Sequence, residues 1–165
     1  MQRRVFLSTA MAALGAAVTS RSARADQATG KGGAETFEVT KTEAEWRKTL
    51  SPAQFQILRK HATETPGTSP LNREHRKGTF YCAGCDLPLF SSDTKFDSGT
   101  GWPIFWKPLP GAIGTSEDRS YFALRTEVHC RRCGGHLGHV FDDGPKPTGL
   151  RYCMNGGAMV FRPTT

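Results

Sequence analysis

From Gly78 onward, apolar and polar positions alternate in short runs separated by turn residues. This pattern predicts strands over residues 79–82, 87–91, 104–106, 121–128, 139–141, 150–154 and 158–162. The run over 121–128 is the longest and most even. Pro110-Gly111 and Gly144-Pro145 mark turns between runs. Upstream the period changes. Thr42 and Glu45 have capping-box spacing, and Ser51 followed by Pro52 reads as an N-cap with proline in the first turn. Two short helices follow, with Trp46, Leu50, Phe55 and Leu58 forming an apolar stripe toward the main body. Residues 65–72, rich in Pro and Gly, form a loop. The expected fold class is mainly β: an antiparallel core with short N-terminal helices.

A length of 165 residues suits one domain, and the abundance of Gly, Pro and aromatic residues suits strands and turns better than a helical bundle. The formal charge of +7 changes meaning once it is located. Residues 1–25 hold Arg3, Arg4, Arg21 and Arg24 and no acid, which leaves 18 basic against 15 acidic residues elsewhere, or +3. There is no case for nucleic acid binding. The first 25 residues have a basic start, an apolar run over 5–18 and Ala23-Arg24-Ala25 as a small-residue cleavage site, so they read as a signal peptide. Arg3-Arg4 before Val5-Phe6-Leu7 resembles a twin-arginine export signal, implying a periplasmic protein. The run is too short and too rich in Ala and Gly to anchor the mature chain stably in a membrane. Residues 26–40 read as a flexible linker and residues 41–165 as the domain proper.

The five cysteines divide unevenly. Cys82 and Cys85 form one CxxC, and Cys130 and Cys133 form another. Four thiolates satisfy a tetrahedral zinc ion, and glycines after the second pair let the backbone turn beneath it. Such a site has no open coordination position, so one zinc would be structural. Two disulfides and an iron–tetrathiolate are the alternatives. Cys153 stands alone. On a strand, Arg151, Cys153 and Asn155 share one face, with Tyr152 and Met154 on the other. A cation and an amide beside a thiol suit a nucleophile; a buried, inert cysteine is the competing reading. His136 and His139 lie a little upstream and read either as catalytic groups or as turn fillers.

Longer stretches carry a resemblance. Thr63-Glu64, residues 78–85, Leu89-Phe90-Ser91-Ser92, Lys95-Phe96-Asp97-Ser98-Gly99, Gly101-Trp102-Pro103, Arg125-Thr126-Glu127-Val128, residues 136–145 and residues 148–155 are together similar to the methionine-R-sulfoxide reductases of the B type, the MsrB family. The resemblance covers residues 41–163 and implies two antiparallel sheets with N-terminal helices. It implies that Cys153 attacks the sulfur of methionine R-sulfoxide in oxidised proteins and becomes a sulfenic acid. His136 and His139 would position the sulfoxide oxygen and supply a proton. Arg151 and Asn155 would orient substrate and favour the thiolate, and Trp102 would receive the S-methyl group. His61, His75 and His129 receive no role. In many members the residue between Gly99 and Gly101 is a resolving cysteine; here it is Thr100. An external reductant, thioredoxin-like or a small thiol, is then expected to reduce the sulfenic acid. Gly156 stands where a serine is common, which would loosen the chain after the nucleophile. A monomer is expected.

Overall fold

A computed structural model describes residues 36–120 and 123–165, all within one compact unit, Glu35–Thr165. The expected signal segment and the first part of the expected linker, residues 26–35, lie outside the described residues. Among the described residues two helices come first, α1 (Glu43–Thr49) and α2 (Pro52–Lys60). Each opens on a reciprocal capping box. Thr42 and Glu45 cap α1, and Ser51 and Gln54 cap α2, with Pro52 in the first turn. The helices bury Trp46, Phe55, Ile57 and Leu58.

Nine strands follow among the described residues: β1 (Gly78–Cys82), β2 (Pro88–Ser91), β3 (Lys95–Phe96), β4 (Ile104–Phe105), β5 (Ile113–Asp118), β6 (Arg125–Cys130), β7 (His136–Phe141), β8 (Arg151–Met154) and β9 (Met159–Pro163). They form two antiparallel sheets, a three-stranded one ordered β2-β1-β9 and a six-stranded one ordered β3-β4-β8-β7-β6-β5. Aromatic rings join the sheets. Phe90 of β2 stacks on Phe105 of β4 at 4.3 Å, Phe80 of β1 meets Phe105 edge-on at 4.9 Å, and Phe90 reaches Tyr152 of β8. Phe80, Phe90 and Phe105 have no exposed surface. Removing such a ring costs about 3–5 kcal/mol.

Several segments depart from the expected pattern; β3 lies in no expected run, and β7 begins at His136 rather than at residue 139. The sequence IGTSED of β5 has a single apolar residue because this edge strand pairs only with β6 and leaves its middle exposed. Of the run over 121–128, residues 121 and 122 lie outside the described residues, Ala123 and Leu124 are not strand, and β6 begins at Arg125, since β5 supplies no pairing partner beyond Asp118; Leu124 is exposed. Residues 36–40, expected as linker, hold to the second cysteine knuckle. Val39 N–H donates to Arg132 O at 3.0 Å, and Phe37 packs edge-on against His129. The folded body therefore begins earlier than residue 41.

Candidate functional site

Two groups of sulfur lie in different parts of the body. The four paired cysteines converge from the ends of β1 and β6 and the turns that follow. Cys82 Sγ is 3.7 Å from Cys133 Sγ, and Cys85 Sγ is 3.4 Å from Cys130 Sγ. A tetrahedral zinc with Zn–S bonds of about 2.3 Å sets its sulfurs about 3.8 Å apart, whereas a disulfide requires about 2.05 Å. The cluster therefore fits a zinc ion with little adjustment. Gly134, at φ 65, turns the chain after the second pair so that its N–H donates to Cys130 O at 2.8 Å. Four thiolates and one zinc carry a net charge of −2. Arg59 donates to Cys133 O and Arg132 to Cys85 O, placing two guanidinium cations against that charge. Zinc held here is structural, because sulfur fills every position.

Cys153 lies on β8, and cross-strand register defines its neighbours. Cys153 is directly opposite His139 on β7, His139 is opposite Glu127 on β6, and Glu127 is opposite Ser116 on β5. These four side chains therefore form one row across the sheet. His136, three residues before His139, would point to the other face of a regular strand. The register shift beside Val128 and His129 inserts Leu137 as an extra residue of β7. The bulge returns His136 to the same face, with its ring edge-on to His139 at 5.5 Å.

A cavity of about 150 Å³ is lined by Cys153, His139, Trp102, Asn155, Thr63 and Phe141, among others. A larger one of about 570 Å³ shares Thr63, Arg125 and His139 with it and continues to His61, Asp118, Glu127 and His136. The structure thus brings Cys153, His139, Trp102 and Asn155 to one cavity. His136 sits behind His139 in the wall of the larger space. Arg151 lies outside both linings; its Nε and Nη2 donate to Asp143 at 2.7 and 2.9 Å, and its guanidinium covers the Phe141 ring.

Each imidazole is held by a carboxylate. Asp118 Oδ2 is 2.7 Å from His139 Nε2, and Glu127 Oε1 is 2.7 Å from His136 Nδ1. Hydrogen bonds from Ser120 and His139 keep the Asp118 carboxyl well below the ordinary range. Burial pushes the Glu127 carboxyl up, but hydrogen bonds from His136, His61 and Ser116 outweigh it and bring it far down. Both acids are therefore acceptors, which fixes protons on His139 Nε2 and His136 Nδ1. Burial lowers His139 despite its bond to Asp118, so the ring is neutral near pH 7.

At the Cys153 thiol several influences compete. Burial pushes it up; the Arg151 charge and a hydrogen bond from Thr100 pull it down, and the Glu64 and Asp143 charges push it up again. The net direction is up. The Arg151 guanidinium, already paired with Asp143, favours the thiolate but is outweighed by burial.

Glu64 received no role from the sequence, yet it ties the cavity together. Its carboxylate accepts Gly156 N–H at 2.6 Å and Gly157 N–H at 2.8 Å, capping the short turn after β8. Its own N–H donates to Asn155 Oδ1, and its carbonyl accepts from Trp102 Nε1. Asn155 also donates Nδ2–H to Leu137 O, so its amide serves first to position the Glu64 segment and the bulge. Position 156 is not loosened by glycine. It is pinned by Glu64, and a Cβ there would collide with Ser69. Glu64 and Glu127 lie in stretches that carry the family resemblance and Asp118 does not, but nothing local assigns any of the three a role; pairing across distant segments reveals it.

The fold and site define a metal-stabilised β protein with a separate thiol centre. A SelR domain matches residues 50–163. A protein of Agrobacterium fabrum is 55% identical over 127 residues, covering 76% of this chain and 94% of that protein. Proteins of Leptospira interrogans and Pseudomonas putida are 50% and 52% identical over the same length, covering 97% and 96% of their own lengths. All three are named peptide methionine sulfoxide reductase MsrB. The chain belongs to the MsrB family.

Proposed function

We propose that this protein is a peptide-methionine sulfoxide reductase, acting on the R epimer through Cys153. The carrying observation is that the lone thiol, the neutral His139 and the Trp102 indole line one cavity of about 150 Å³. That volume admits one thioether-sized side chain presented by an oxidised protein. The sulfoxide enters with its S-methyl group toward Trp102, since indole and sulfur attract. The Cys153 sulfur attacks the sulfoxide sulfur; the oxygen passes to the cysteine sulfur as its bond to the methionine sulfur breaks, leaving Cys153 a sulfenic acid and releasing methionine. The thiol proton must reach the oxygen. His139 Nδ1, left free by the Nε2–Asp118 bond, accepts it from sulfur and returns it to oxygen. His136, oriented by Glu127, supports the His139 ring from behind.

An external dithiol or two small thiols then reduce the sulfenic acid, releasing water and a disulfide. Thr100 supports this reading, because the residue within hydrogen-bonding reach of Cys153 offers a hydroxyl where a resolving thiol would stand. We further infer from Arg3-Arg4 and the small-residue site at Ala25 that the protein is exported by the twin-arginine route and works as a periplasmic monomer. Cell fractionation of the wild type and an Arg3→Lys, Arg4→Lys variant tests the export.

Turnover on separated R and S epimers of a peptide sulfoxide, with thioredoxin or dithiothreitol as donor, tests the enzyme. Reduction of R alone is expected, with one methionine released per protein before donor is added. Equal use of both epimers, or a new Cys153 disulfide to a zinc cysteine after oxidation, would overturn the scheme.

A further inference from the structure

Beside the Cys153 cavity stands a group of side chains that the proposed reaction only partly uses. His61 occupies the left-handed cap of α2, at φ 56, and turns its Nδ1 to Glu127 Oε1 at 3.0 Å. His136 Nδ1 approaches the same oxygen at 2.7 Å. The two imidazole rings are 5.0 Å apart and tilted by 32°. One ligand atom from each of these residues lies within 4.8 Å of the others. Ser116 Oγ donates to Glu127 Oε2 at 2.6 Å, which leaves Oε1 turned toward the imidazoles.

We propose that His61, Glu127 and His136 form a second, exchangeable cation site for a borderline divalent ion such as Zn2+, and that occupation of this site inhibits the enzyme. Two imidazole nitrogens and a carboxylate oxygen are a zinc donor set, and the larger cavity opens the fourth position to water. With metal–ligand bonds of about 2.0–2.1 Å, tetrahedral donors lie about 3.3 Å apart. The His61–Glu127 and His136–Glu127 pairs, at 3.0 and 2.7 Å, must open by about 0.3 and 0.6 Å. His61 permits the first opening, because its side chain is 61% exposed and ends a helix; the second requires a small turn of the more enclosed Glu127 carboxylate, 12% exposed against 3% for His136. On binding, the Nδ1 protons now directed at Glu127 move to Nε2 or to water, leaving both lone pairs for the ion. With no sulfur donor and one mobile ligand, this site exchanges its ion far more readily than the four-cysteine cluster.

Inhibition follows from the position of His136. The ion would take the nitrogen by which Glu127 orients that ring, and the ring packs against His139. The binding is independent of the reductase reading; only the inhibition rests on it.

The test titrates Zn2+ by calorimetry into the full-length protein with its four-cysteine site already filled, in buffer free of thiols and chelators. Wild type and Cys153→Ser should each bind one additional equivalent. His61→Ala should bind it at least tenfold more weakly, while its zinc-free turnover matches wild type. Added Zn2+ should slow single-turnover methionine release by the wild type, and His61→Ala should require at least tenfold more for the same slowing. The proposal fails if the wild type takes up no additional equivalent, if His61→Ala retains it at full affinity, or if Cys153→Ser loses it. An additional equivalent with no effect on single turnover would remove the inhibitory role.

Discussion

The same element, sulfur, serves opposite ends in two parts of this molecule. Cys82 and Cys133 meet at 3.7 Å and Cys85 and Cys130 at 3.4 Å, all four sulfurs lie within 4.8 Å of one another, and two arginines donate to the Cys133 and Cys85 carbonyls. Cys153 faces a cavity, half-buried, with imidazole and indole around it. In the first place, mutual proximity of thiolates makes a cation indispensable. In the second, isolation leaves a sulfur free to attack. The difference lies in what each sulfur is turned toward, and it implies that stability and chemistry can be lost separately.

The largest effect should separate them outright. Cys130→Ser, or strong chelation, removes a site whose apparent binding energy of about 10–16 kcal/mol rivals a net domain stability of about 5–15 kcal/mol. Loss of the cooperative unfolding transition in circular dichroism is expected, with loss of bound zinc. Cys153→Ser should do the reverse: turnover falls by more than about a thousandfold, since no other group supplies the nucleophile, while metal content and melting temperature stay at wild-type values. A Cys153→Ser protein that lost its zinc would erase the comparison.

Glu64 probes the seam between stability and chemistry. Glu64→Ala leaves Gly156 and Gly157 N–H without their charged acceptor and frees the segment that holds Trp102 and Asn155. A hydrogen bond to a charged group contributes about 1.5–3 kcal/mol, so denaturant unfolding should show a loss of about 2–4 kcal/mol. Loosening the cavity wall should also lower kcat/KM by about ten- to hundredfold. Zinc content should not change.

The smallest effect concerns the thiol itself. Burial places the Cys153 pKa above the ordinary thiol range, so its alkylation should keep accelerating with pH beyond the midpoint of a free cysteine. Arg151→Ala removes a charge that lowers this pKa and leaves Asp143, which raises it. The midpoint should therefore move further up, and alkylation at pH 8 should slow by about three- to tenfold, one unit being a tenfold change in thiolate. Faster alkylation in this variant would reverse the sign assigned to the pair.

Much of this was legible because it is local. CxxC pairs, the capping box at Thr42, the N-cap at Ser51, and alternation along β1, β2 and β9 each depend on residues within a few positions of one another. The edge strand β5 was not legible, because an edge needs little apolar surface and IGTSED has almost none. Asp118, Glu127 and Glu64 escaped for a related reason. They meet their partners through pairing or loops between segments far apart in the chain, and a carboxylate in a polar run looks solvated until its neighbours are known.

The order of residues by itself determined the metal donors, the two capped helices, the antiparallel β character and the identity of the odd sulfur, because short-range spacing is fixed by covalent geometry. Only the tertiary structure decided which groups surround that sulfur. The Leu137 bulge put both histidines on one face, register set Cys153 opposite His139, and burial together with opposing charges raised a thiol that its flanking arginine alone would have lowered. Those outcomes depend on distances through space and on exclusion of water, neither of which is set by proximity along the chain.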